Sequence, residues 1–368
     1  MLAAVALLVD ESDSDDAEIQ ELFLKRRRMQ IRTRNDAEGD SVPHPTESAW
    51  ACLFRTFDDV AYVSRLGIPV AAFQTILRYF WRRVPHDYPG RKGRKPKIVP
   101  SQALGLILEF YASKGEAKQL GAAHGLTSRE TNRWLERSEE ALFEALSFVP
   151  EARIVWPSFQ QQREWGRHMQ AFFPLVLNRF GYVDGKNLNV QAPSDVDLQN
   201  ALYNGWLHCV FVTGVLAFGC DGCLIWAKHN VFGSWNDGEV AGKLVDKLCD
   251  ESITLPDYGL VSDTAFPSTK RVFQKIVTPL KEGDLDKVEP MFQHIALQIS
   301  NSITSLRQTC EWGMGSIEKP FRRLLEPLPY NPHVRHKRLA NIFRLWNVRV
   351  RTTGITQVAN TYGVPIHK

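Results

Sequence analysis

The sequence predicts an α/β domain built on a mixed sheet and preceded by an all-α domain of helix-turn-helix character. Three observations predict it. Apolar residues recur at helical spacing twice before residue 150, at Phe73, Ile76, Leu77 and Phe80 and again at Leu104, Ile107, Leu108 and Tyr111. A short helix pattern from Glu116 to His124 stops at Gly125, and Thr127 with Glu130 then reads as a capping box opening a second helix through Trp134 and Leu135. After Phe180 the texture turns to β, with Tyr182–Val190 alternating and Leu207–Phe218 and Leu224–Lys228 forming β-rich runs.

The elements follow in order. Residues 1–45 hold an acidic run, a basic run and a Gly, Asp, Ser and Pro stretch with too little apolar area to order itself, and form a tail. Residues 46–150 are helical, with a basic loop at Gly90–Pro100. Residues 151–178 connect to the α/β domain, 179–330, and residues 331–368 form a basic C-terminal helix and tail. Asp221-Gly222 between the two later β-runs predicts a type I′ hairpin turn, which accounts for Cys220 and Cys223 better than metal ligation does: one C-x-x-C lacks a second ligand pair. Gly238–Leu248 reads as a helix, Tyr258–Ser262 as a short strand and Ile295–Ile317 as a long helix. Strand, hairpin, helix, strand and helix in that order describe a mixed sheet.

Composition narrows the function. The 368 residues are 44% hydrophobic and 23% charged, which excludes a collagen-like, coiled-coil or wholly disordered chain. Six scattered cysteines predict free thiols in a reducing compartment. The apolar start, Met1–Val9, runs straight into acids and is too short to span a bilayer, so no membrane association is expected.

Net charge is +4, but residues 1–24 carry seven acids and no Lys or Arg, leaving 45 basic against 34 acidic residues in the rest. Three acid-free blocks concentrate the positive charge: Lys25–Arg34; Arg91, Lys92, Arg94, Lys95 and Lys97; and Arg335–Arg351, which includes Arg338 and Arg344. Together they predict a polyanionic partner, DNA, because each neutralised phosphate releases counterions. If the helix-turn-helix docks as such motifs do, Arg129, Asn132 and Arg133 meet the nucleic acid. An ordinary α-hairpin has the same outline.

No phosphate-loop, dinucleotide-binding, nucleophile-elbow or H-E-x-x-H motif is present. The residues left for chemistry are acids. Asp184 lies within the first strand, Asp263 follows the Tyr258–Ser262 strand, and Glu311 lies on the long helix, four residues after Arg307 and seven before Glu318. Carboxylates gathered at the end of a sheet make a hard oxygen site for Mg²⁺ or Mn²⁺, and a pair of such ions supports in-line phosphodiester displacement. Singly, each acid reads equally as a turn residue, a cap or a surface ion-pair partner.

These residues resemble the PIF/Harbinger-type DDE transposases and their domesticated derivatives. The resemblance is carried by Val183-Asp184-Gly185-Lys186 with Pro193, Gly233-Ser234-Trp235-Asn236-Asp237, Ser262-Asp263-Thr264-Ala265-Phe266-Pro267, and Asn301 through Arg307 and Glu311 to Gly315 and Phe321. It implies an RNase H-like catalytic fold, metal-dependent DNA cleavage and strand transfer, and a nuclear protein with a cytoplasmic pool. It also suggests a separate DNA-binding accessory protein; a homo-oligomer is a further expected partner, though the sequence leaves the oligomeric state open. It makes Asp184, Asp263 and Glu311 the catalytic and metal-binding triad. Glu318 stands where the family commonly carries lysine, with Lys319 next, so Glu318 competes with Glu311 as third ligand; Arg307 and Gly315 fit Glu311. Asp237 is either a fourth acid near the site or a cap for the helix that follows it. The resemblance also admits a catalytically silent, domesticated DNA-binding or scaffold protein, and the helical pair admits a DNA-reading regulator.

Overall fold

The computed structural model describes residues 22, 24–25, 42–84, 97–205, 208–264, 266, 272, 274–354 and 356–363. The sequence expectations on residues 1–21 and 26–41, and on Arg91, Lys92, Arg94 and Lys95, lie outside the described residues.

Six helices build the first part: α1 (Ala49–Thr56), α2 (Asp59–Leu66), α3 (Val70–Phe80), α4 (Pro100–Ala112), α5 (Ala117–His124) and α6 (Ser128–Ala145). Helix α4 is their core, with ten of its residues buried on every side. A helix apolar all round belongs inside. Trp50 stacks on His124 with ring centroids 5.4 Å apart and meets Phe73 at 5.8 Å, closing α1 over α3 and α5. Helix α5 ends at Gly125 in the left-handed region, and the Thr127–Glu130 capping box opens α6 with both reciprocal bonds made. Gln102 on α4 donates to the carbonyl of His124, satisfying the end of α5. The helix, glycine turn and capped helix outlined by the sequence are thus formed. No single helix among the described residues is long and apolar enough to cross a membrane.

The second part is one mixed sheet. Its centre is β1 (Arg179–Asn189), paired antiparallel to β3 (Cys209–Gly219) from Gly181↔Gly219 to Asn189↔Phe211. Short β2 (Tyr203–Asn204) and long β4 (Leu224–Phe232) both pair antiparallel with β3. On its other side β1 runs parallel to β5 (Gly259–Val261), and β5 to β6 (Ile276–Val277). Helix α7 (Phe159–Phe172) lies on one face, with Trp165 packed over Gly219. The 151–178 stretch expected to be a connector therefore supplies a layer of the α/β domain. The long helix, α11 (Pro290–Glu318), covers the other face, where Gly313 meets Phe218. It starts five residues earlier than expected, because Pro290 sits at its first position, where its fixed φ favours a helix. A mixed sheet with helices on both faces fits the RNase H-like architecture the resemblance implied.

Two local expectations are corrected. The β3–β4 turn is not type I′: Gly222 takes φ +80°, but Asp221 stays at negative φ while its carboxylate accepts the Cys223 N–H at 2.9 Å. Gly222 N–H bonds the Gly219 carbonyl, making a three-residue loop with a left-handed glycine, the other common hairpin solution. The predicted Gly238–Leu248 helix is broken at Ala241 into α9 (Asp237–Val240) and α10 (Gly242–Cys249). Between them and β1, α8 (Val196–Leu202) leads into β2.

Helix α12 (Pro332–Thr353), followed by α13 (Gln357–Tyr362), does not stand apart as a C-terminal segment. It joins the two parts. Asn347 brackets Leu224 of β4 with bonds to both its N–H and its carbonyl at 2.8 Å, and Asn341 bonds the Glu139 carbonyl of α6 at 3.0 Å.

Candidate active site at the open end of the sheet

Pairing between β1 and β5 ends at Tyr182↔Val261. Two residues further along each strand lie Asp184 and Asp263, so the register carries the two aspartates side by side. Ser262 fixes this end, its buried hydroxyl donating to the Val183 carbonyl at 2.9 Å. Beyond this point β1 continues against β3 alone, and the crevice left where a parallel strand stops is where α/β sheets bind ligands.

Asp237 enters from the side of Gly185. Asn236, not Asp237, caps α9, accepting the Glu239 N–H at 2.9 Å. Its neighbour's carboxylate is thereby freed to lie over Gly185, where an added Cβ would come within 2.2 Å of Oδ2, and it accepts weakly from the Thr213 hydroxyl at 3.5 Å. Of the two roles the sequence left for Asp237, the cap belongs to Asn236. A Gly185→Ala change should therefore displace Asp237. It is expected to cost roughly 1–3 kcal/mol of stability by overpacking, measured as a lowered urea midpoint with unchanged slope.

Electrostatics ties the acids together. Burial, then the charges of Asp263 and Asp237, push Asp184 up from 3.8 to about 6, against the Gly185 N–H and Arg307, which favour its anion. Burial and Asp263 likewise push Asp237 up. Among the described residues, however, no three His, Cys, Asp or Glu side chains close into a cation-holding group.

The third acid stands one ion pair away. Glu311 is half-exposed and pairs with Arg307 one turn earlier on α11. Burial works against the Arg307 charge, but Glu311, Asp263 and Asp184 outweigh it, so this guanidinium lies in the field of both aspartates. Glu318 pairs instead with Lys186, Nζ to Oε1 2.5 Å. The sequence carried Arg307 by its spacing to Glu311 and in the resemblance, and Lys186 in the resemblance alone, without a role; its place two residues after Asp184, hence on the same strand face, was the available signal.

The proposed DNA contacts divide. Arg129, Asn132 and Arg133 are exposed on the first turns of α6. Arg338 is turned inward, forking onto Glu139 at 2.9 and 3.2 Å and covering the Phe110 ring at 4.9 Å. That corrects the expectation that its side of α12 tracks DNA: a nearly buried Glu139 requires a cation, and Arg338 is the one packed against it. Arg344 lies over Phe143, with Nη1 donating to the Phe143 carbonyl at 3.2 Å.

A mixed α/β sheet with coupled aspartates at the open end of its central strand is an architecture suited to phosphodiester chemistry. Residues 183–347 match the family described as DDE superfamily endonuclease, from the residue before Asp184 into α12. That match supports placing this region in the DDE endonuclease superfamily. No curated protein and no solved structure matches the chain.

Proposed function

We propose that the protein is a PIF/Harbinger-type DNA endonuclease or transposase that cuts and joins phosphodiester bonds with Asp184, Asp263 and Glu311. The observation that carries this reading is the register that sets Asp184 beside Asp263 within the region matching DDE endonucleases. Members of that superfamily generally use divalent metal ions. The donor set fits one: hard carboxylate oxygens, partly desolvated, whose mutual repulsion already raises Asp184. Asp184 and Asp263 would hold Mg²⁺ or Mn²⁺, two ions making the full complement, with Glu311 as the third ligand and Asp237 alongside. Bound metal supplies activation of a water or 3′-hydroxyl and charge relief at the leaving oxygen.

The chain's own groups do the rest. Arg307 binds a DNA phosphate in bidentate fashion, which releases Glu311 toward the aspartates. Ser262 holds the Asp263 segment against β1, and Asp237 fills the space over Gly185. Arg129, Asn132 and Arg133 engage the duplex from α6. The basic sequence blocks agree with a nuclear protein acting on DNA, and the family resemblance suggests an accessory DNA-binding protein.

Nicking and strand transfer on supercoiled DNA, with Mg²⁺, Mn²⁺ or EDTA, tests this. Asp263→Ala and Glu311→Ala are expected to lose several kcal/mol of transition-state stabilisation, roughly a thousandfold in rate, while Glu318→Ala keeps most activity. Equal nicking by Asp263→Ala would overturn the assignment. The pairing of Glu311 with Arg307 favours one second reading, a silent DNA-binding derivative of the same fold. Folded wild type that binds DNA yet does not nick with either metal, with or without nuclear extract, selects that one.

A further inference from the structure

A second site lies at the joint between the two parts of the molecule. Helices α6 and α12, the turn at 150–155 and strand β4 border a solvent-open cavity of about 390 Å³, within the size range of small-molecule pockets. Its polar lining is one-sided. Arg153, Arg344, His229, His336 and Ser147 face it, and no Asp or Glu does. The remaining wall is mostly apolar, including Leu146, Ile154 and Phe343.

Polar groups in this cavity are only partly partnered. His229 Nδ1 is buried with no hydrogen-bond partner, although its ring stacks on His336 at 5.0 Å. Such an orphan is costly unless something fills it. Arg344 uses only Nη1 in its bonds to the Phe143 carbonyl and Ser147 hydroxyl. The Arg153 side chain makes no ion pair among the described residues. Burial, then His336 and Arg344, hold His229 down to about 3, and burial, then Arg344, His333 and Lys337, lower His336. An apolar guest would leave these polar groups unpaired and a cation would be repelled by the two arginines, whereas an anion pairs with them.

The cavity also shares a sheet face with the aspartates. Asp184 pairs with Leu216, and Leu216 with Ala227, two residues before His229. The cavity is thus two strands over from Asp184, roughly 10 Å at about 4.8 Å per strand, or a few nucleotide steps at about 3.4 Å each.

We infer that this cavity is a phosphate-binding site, built by Arg153, Arg344, His229 and His336. In the function proposed above, on which this source alone rests, the phosphate belongs to the DNA backbone flanking the cut; otherwise it belongs to a free phosphate-bearing small molecule. The test uses the full chain at fixed salt. Inorganic phosphate is titrated by calorimetry and a duplex of about 30 base pairs by fluorescence anisotropy. Arg153→Gln and Arg344→Gln are compared with wild type and with Arg163→Gln, an exposed arginine on α7. Arg153 is exposed, so its variant keeps the test valid if Arg344→Gln loosens the joint, which a melting curve reports.

The expected result is about a tenfold or greater loss of affinity in both cavity variants and none in Arg163→Gln. A loss for duplex, with or without free-phosphate binding, assigns the site to backbone phosphate. A loss for inorganic phosphate alone assigns it to a small molecule. No phosphate binding by wild type together with unchanged duplex affinity in both variants overturns the site. Cleavage is not read at any step, so failure of the cavity and failure of the nuclease reading are told apart.

Discussion

Asp184→Asn is expected to melt at a higher temperature than wild type at pH 7.5 in EDTA, while losing all measurable nicking. The carboxyl rises from 3.8 to about 6 on folding, through burial, Asp263 and Asp237. The folded state therefore holds this proton more tightly than the unfolded chain does. The group costs nothing below about pH 4; its cost grows as pH rises through about 6 and persists above. Asparagine has no charge to lose, so the variant should match wild type at pH 4 and gain on the order of 2 kcal/mol at pH 7.5, worth several degrees.

Saturating Mg²⁺ should narrow the gap, because a ligand bound only by the folded wild type stabilises it by mass action. Melting curves at the two pH values, with EDTA and with Mg²⁺, check the electrostatic half, and plasmid nicking checks the catalytic half. A variant no more stable than wild type at pH 7.5 refutes the strain argument; one that nicks normally refutes the role in catalysis.

The second large effect lies at the joint. Arg338→Met should destabilise the protein by roughly 3–5 kcal/mol, because it leaves Glu139 buried without its cation. The pair is only 13% and 8% exposed, is made in bidentate geometry, and is extended by the Tyr111 hydroxyl, which donates to Glu139 Oε1 at 2.9 Å. Arg323 shares the Phe110 ring with Arg338 at 3.9 Å and bonds the Gly115 carbonyl at 2.6 Å, so loss of order should spread to α4.

Glu139→Gln combined with Arg338→Met should cost less than the two single changes added together, since the double variant strands no charge. Urea denaturation of the four proteins measures this. An Arg338→Met protein with wild-type stability but weakened DNA binding would return Arg338 to the DNA-facing role expected from the sequence.

Part of the candidate site's geometry was readable before any fold was known. Asp184 and Asp263 were legible because one lies inside a β-pattern and the other directly follows one, and strand register converts those positions into neighbours. Asp237 was ambiguous because Asn236 and Asp237 are both good helix caps; which one takes the cap depends on how the chain leaves β4. The choice between Glu311 and Glu318 rested on spacing, and the structure adds a different partner for each, Arg307 and Lys186. Arg338 was misjudged for a general reason. A run of arginines on an amphipathic helix looks solvent-facing until an acid on another helix is found opposite it, and Glu139 lies 199 residues away in sequence.

The sequence by itself determined most of the main helices and the chief strands of the sheet. Helical period, the Thr127–Glu130 box, the Gly125 stop and the β-rich runs act over a few residues and need no distant partner. Only the tertiary structure decided where the side chains go. Asp237 meets Gly185, Arg307 stands between Glu311 and the aspartates, and α12 closes a cation-lined cavity because segments far apart in the chain pack together. The charge and desolvation each side chain meets there depend on that packing, not on its own neighbours in sequence.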